Sequence, residues 1–198
     1  MSETPRPELV VEGFPAKPRP RWIELATSAD HKDIGRVLLC GSLGFLFLAL
    51  VELLLMRLQL AVPENTFLSP VAFNRMLSLY GASAVFLFAI PLALGFFYYV
   101  APLQVGARGT ALPRLGQIGV ALWVAGATVL YAGFLFTPSE AGVNPLAPLS
   151  ELAFLSNNGV DAWATATGLC TLGFVFLAID LLTTLRNLRA PGLGWRRV

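Results

Sequence analysis

The sequence predicts an all-α membrane protein: a bundle of four transmembrane helices with both termini in the cytoplasm. Three observations predict it. The chain is 56% hydrophobic and only 13% charged, with a mean hydropathy of +0.67; a soluble domain carries about 25% charged residues. Four apolar runs are each long enough to cross a hydrocarbon layer of roughly 30 Å at about 1.5 Å per residue. The basic residues alternate between the connections in the way that sets membrane orientation. Helices are the expected form because each satisfies its own backbone in lipid.

Residues 1–21 are polar and rich in proline (Pro5, Pro7, Pro15, Pro18 and Pro20) and read as a disordered arm rather than a signal peptide. Trp22 then stands where an amphipathic aromatic would anchor at the interface. The four runs are Val37–Met56, broken by Glu52; Leu77–Val100, without a charge; Ile118–Phe136; and Ala162–Leu185, broken by Asp180. Together, residues 22–192 form the predicted four-helix domain, followed by a basic tail, 193–198.

Arg6, Lys17, Arg19, Arg21, Lys32 and Arg36 precede the first run, Arg108 and Arg114 separate the second from the third, and Arg186, Arg189, Arg196 and Arg197 follow the fourth. The opposite connections hold only Arg57 and Arg75. The net charge of +2 reflects this bias and points to no nucleic-acid partner. Asp30 or Asp33 can cap the first helix. Pro63 and Pro70 punctuate the outer loop, and Pro91 is expected to kink the second helix, a defect tolerated where a neighbour satisfies the freed carbonyl. Gly81, Gly95, Gly119, Gly126, Gly133, Gly168 and Gly173 offer small residues for close helix contact. Cys40 and Cys170 lie in separate runs and read as small packing residues.

Four stretches carry a resemblance: ATSADHKDIGRVLL (26–39), LLMRLQLAVPENTFLSP (54–70), FLFAIPLALGFFYYVAPLQVGARGTALPRLG (86–116) and LRNLRAPG (185–192). In this order they resemble subunit I of the haem–copper respiratory oxidases, the cytochrome c and quinol oxidases. The resemblance implies the first four helices of a larger catalytic subunit. That family reduces oxygen and pumps protons with haems and a histidine-bound copper.

In the resembled family the second helix carries a histidine to the low-spin haem, just before a glycine. Here the segment reads SLYGASAVFLF (78–88), with Tyr80 at the ligand position and Gly81 after it. The single histidine, His31, lies at the mouth of the first helix and reads as a helix-start residue bonding locally. A phenolate can hold haem iron, but an aromatic packing role is the expectation for Tyr80. The family's proton-entry aspartate corresponds to Gly109 in GARGTALPR, and the asparagine beyond it to Gly116. Arg57 matches a family arginine that touches the low-spin haem; without the ligand it reads as an interfacial arginine reaching the headgroups.

Glu52 is free to pair with Arg57, face a partner or be protonated, and Asp180 to make polar contacts near the headgroups or meet Arg186. Glu52, Asp180, Gly81 and Gly95 are therefore candidate partner or packing residues. No catalytic residue and no metal ligand is expected. Tyr80 and Arg57 mark vestigial haem-site positions. The expectation is a truncated, degenerate subunit I-like protein of the bacterial cytoplasmic membrane, not catalytic alone. It would serve as an accessory or assembly subunit among other membrane subunits of a respiratory oxidase or supercomplex. No cofactor is expected; the alternative is a haem-binding component of a split oxidase whose ligands come from another chain.

Overall fold

The computed structural model describes residue 28 and residues 30–140 and 158–190; the arm, Trp22 and the basic tail lie outside these. The described residues are helical, without a strand: α1 (His31–Gln59), α2 (Pro70–Ala82), a π-helical segment (Ser83–Ala89), α3 (Ile90–Gln104), α4 (Pro113–Phe136) and α5 (Gly159–Asn187). α2, the π segment and α3 run on as one span of 35 residues, so four helices are long and apolar enough to cross a membrane.

Local chemistry sets their starts. Asp30 is the N-cap of α1, its carboxylate accepting from the Lys32 amide at 3.1 Å, while Asp33 sits in the first turn and pairs with Arg36. Ser69 caps α2 through the Ala72 amide at 3.1 Å, which makes Pro70 a first-turn proline rather than a loop residue. Between α1 and α2, Asn65 donates to the Leu58 carbonyl at 2.9 Å and Gln59 bonds both the Asn65 carbonyl and the Leu68 amide. The chain turns back through side-chain amides. After α3, Gly106 adopts φ +72°, a left-handed conformation that closes the helix end as the Ala107 amide reaches back to the Pro102 carbonyl.

The kink expected at Pro91 takes a specific form. The π segment lies directly before it, and the Ile90 amide bonds to Val85 O, five residues back. The next carbonyl, of Phe86, would then look to residue 91, where proline has no N–H. Trp123 Nε1 on α4 donates to Phe86 O at 3.2 Å. A neighbouring helix thus satisfies the carbonyl that Pro91 leaves unmet.

α4 and α5 pack most extensively on each other, and α1 lies against the π segment and α3. The core includes Leu38, Leu87, Tyr98, Trp123, Leu130, Cys170 and Leu177. Large apolar side chains such as Phe47, Leu54 and Leu182 point outward, as lipid contact requires. Glycines sit where backbones cross. A Cβ on Gly95 would meet Leu38 Cβ at 2.9 Å, one on Gly173 would meet Gly119 O at 2.6 Å, and one on Gly126 would meet Cys170 Sγ at 2.5 Å. Gly168 departs from the expectation, since a Cβ there meets nothing within 4 Å. Cys40 departs too: it is exposed on the bundle surface, while Cys170 is buried at the Gly126 crossing.

Substitution should separate the two kinds of glycine. Gly126→Val is expected to destabilise by about 1–3 kcal/mol, because the Ala166 carbonyl and Cys170 have no room to retreat. Gly44→Ala, in open space, is expected to be neutral or to stabilise by up to about 1 kcal/mol. Thermal unfolding of both in detergent measures the difference.

Candidate functional site

Two buried polar clusters lie at opposite ends of the bundle, and each is built around one of the acids that interrupt the spans. Asp180, on α5, is fully buried. Its Oδ2 accepts from the Tyr98 hydroxyl at 2.9 Å and its Oδ1 from the Leu112 amide at 2.7 Å. Thr184, one turn on, donates to Asp180 O at 2.7 Å and accepts from the Ala111 amide at 2.9 Å. α4 has no side-chain cap of its own at Leu112, so α5 supplies acceptors to the connection leading into it. Gly116 is close by: a Cβ there would lie 3.1 Å from both Asp180 Oδ2 and Tyr98 Oη, and 3.0 Å from Ile34. The absence of a side chain at Gly116 makes room for the Asp180–Tyr98 bond. Asp180 does not meet Arg186, which is exposed; Tyr98 and the backbone of residues 111–112 take that place.

Glu52, on α1, is 7% exposed. Its Oε1 accepts from the Tyr131 hydroxyl at 3.0 Å, and Tyr131 Oη lies 3.2 Å from Ser83 Oγ at the start of the π segment. Three spans therefore meet through one phenol. Phe45 stacks on the Tyr131 ring at 5.9 Å and meets Trp123 edge-on at 5.7 Å, which fixes the phenol's direction. Glu52 Oε2 is buried with no partner. Glu52 does not pair with Arg57: it turns inward to α4, whereas Arg57 is exposed in the last turn of α1.

The remaining candidates stay apart. Tyr80 is half-buried in the last turn of α2, with Gly81 beside it. Gly95 lies at the crossing of α1 and α3. Gly109 is in the connection after α3, with open space around it. His31 is buried at the start of α1, and the local hydrogen bond expected of it is absent. Its Nδ1 lies 3.1 Å from Asp30 Oδ1, the oxygen that accepts from the Lys32 amide in capping the helix, but neither ring nitrogen forms a hydrogen bond. Among the described residues no three His, Cys, Asp or Glu side chains gather as metal ligands would.

Residues 33–198 match the family described as Cytochrome C and Quinol oxidase polypeptide I. The chain belongs to this family. It is 39% identical over 178 residues to a heme-copper oxidase subunit I+III of Aeropyrum pernix, covering 88% of this chain and 21% of that protein. It is 37% identical over 189 residues to cytochrome c oxidase subunit 1 of Corynebacterium efficiens, covering 94% and 32%. With cytochrome c oxidase subunit 1 of Bacillus subtilis the identity is 34% over 173 residues, covering 87% and 28%. The chain spans about a third or less of the length of these curated relatives.

The position resembling the haem ligand holds a phenol, that of Tyr80. No step through haem or copper follows from these side chains.

Sequence reading picked out both acids but not their partners. Tyr98 and Tyr131 lie in apolar runs and look like packing residues. They stand 82 and 79 positions from the acids they bond, so no local spacing gives them away. The paired buried partners predict graded losses. Asp180→Leu strands the Leu112 amide, at about 1–3 kcal/mol, and leaves the Tyr98 hydroxyl only the Leu177 carbonyl at 3.3 Å; it is expected to cost more than Asp180→Asn, which keeps an acceptor. Thermal unfolding ranks the two variants, and amide exchange over residues 105–116 should speed up most in Asp180→Leu.

Proposed function

We propose that this chain is a non-catalytic, subunit I-like accessory or assembly component of a respiratory haem–copper oxidase complex in a bacterial cytoplasmic membrane, with both termini on the cytoplasmic side. The observation that carries the reading is the mismatch between framework and ligands. The family likeness extends over nearly the whole chain. Its one histidine, His31, is the first residue of α1, whereas Tyr80 stands at the ligand position. Haem and copper centres of this family are held by several imidazoles. The two acids at membrane depth are taken up by tyrosines and backbone within the bundle, which supports a scaffolding role for them. What the chain then offers to partners is its outer apolar surface, on which helices of other membrane subunits would pack.

A second reading has one feature in its favour. Tyr80 is half-exposed and Arg57 exposed, so both are open to a neighbouring chain. In that arrangement the chain would form one wall of a split haem site whose iron ligands come from elsewhere.

Purification in a mild detergent is expected to bring down oxidase subunits with the chain, while the isolated chain, expressed with added haem, stays colourless. A solitary protein in mild detergent would count against the accessory role. A Soret band in the co-purified complex that shifts on Tyr80→Phe would favour the split site instead.

A further inference from the structure

We propose that Glu52 is a proton-binding site: it is held inside the bundle as a neutral carboxylic acid, with the proton on Oε2 and with Oε1, the carbonyl oxygen, accepting from Tyr131. Glu52 is buried in the upper part of α1, and its two oxygens have different surroundings. Oε1 accepts from the Tyr131 hydroxyl at 3.0 Å, while Oε2 is buried with no hydrogen-bond partner. An ionised carboxylate only accepts, and its charge lies on both oxygens, so each calls for a donor. A protonated one takes its donor at the carbonyl oxygen and carries a hydroxyl at the other. The one donor present sits on one oxygen alone. The hydroxyl left without an acceptor costs far less than a buried charge left without a partner.

No cation stands by to offset a charge. On α1 itself, His31, Lys32, Asp33 and Arg36 lie in the first turns, and Arg57 is exposed in the last. The elements packed most on α1 are α2, the π segment, α3 and α4. α2 carries Arg75 and Tyr80, and Arg75 is matched by Glu140. The π segment and α3 carry no formal charge; the Ser83 hydroxyl lies 3.2 Å from Tyr131 Oη, and Tyr98 bonds Asp180 in the other cluster. α4 carries Arg114 in its first turn, at the opposite end from Tyr131. Among the described residues the ion pairs are Asp30–His31, Asp33–Arg36 and Arg75–Glu140, and none includes Glu52. An acid at membrane depth with neither a cation nor a second donor is neutralised by a proton.

The experiment is infrared spectroscopy at neutral pH on the full chain in nanodiscs of ether-linked lipid, whose tails add no ester carbonyl. A neutral carboxylic acid has a carbonyl stretch well apart from those of carboxylates. The unmodified chain is expected to show one such band that moves to lower frequency when glutamate side-chain carboxyls are labelled with ¹³C. The band is expected to be lost in Glu52→Gln. In Tyr131→Phe it is expected to move to higher frequency, because the carbonyl oxygen loses its donor. If the unmodified chain has no acid band that responds to the label, the proposal is overturned without recourse to any variant. A band that survives Glu52→Gln, or one whose frequency Tyr131→Phe leaves unchanged, overturns it as well.

Discussion

In lipid, a polar group that finds no partner inside the protein finds none at all, and this constraint orders the whole bundle. Three departures from an ideal apolar helix are met by another span. Pro91 removes a donor, and the Trp123 indole supplies one to the Phe86 carbonyl. Asp180 sits fully buried, and Tyr98 and the Leu112 amide surround it. Glu52 enters the core, and the Tyr131 phenol bridges it to Ser83. Each of these contacts joins segments far apart in the chain, so they also fix which helices are neighbours. Apolar packing between helices gives little such selectivity, because the lipid tails offer an equally apolar alternative.

Glycine complements this polar matching. Close approach at Gly95 and at the Gly119–Gly173 crossing lets the hydroxyl and indole donors come within reach of their acceptors. Gly116 shows the two effects at one position, since the space left by its absent side chain is where Asp180 and Tyr98 meet. The resembled family places an asparagine there. In this chain a side chain would collide with the Asp180 cluster, so Gly116 has a packing reason of its own.

The spans were legible because hydropathy and length decide them: every predicted run lies inside a helix of the structure, extended by caps at Asp30 and Ser69. The start of α2 at Pro70 was not, because a proline after a serine reads equally as loop or as first turn until the Ser69 bond is seen. Glu52 and Asp180 stood out as charges in apolar runs, but their partners did not. Tyrosine in an apolar helix carries no mark of which way its hydroxyl points. The open surroundings of Gly168 and the exposure of Cys40 likewise depend on helix rotation, which the weakly amphipathic spans do not specify from composition. The family likeness rests on stretches whose local roles the structure explains, as when Gln59 and Asn65 close the connection after α1.

The Trp123–Phe86 bond bears on how the protein is made. A chain delivered to the bilayer one hairpin at a time would bring α1 and the Pro91-bearing span across first, with the Phe86 oxygen facing hydrocarbon and unanswered. Only the arrival of α4 supplies the indole. The first hairpin alone thus carries one backbone oxygen that its own helix cannot satisfy, and the third span completes it.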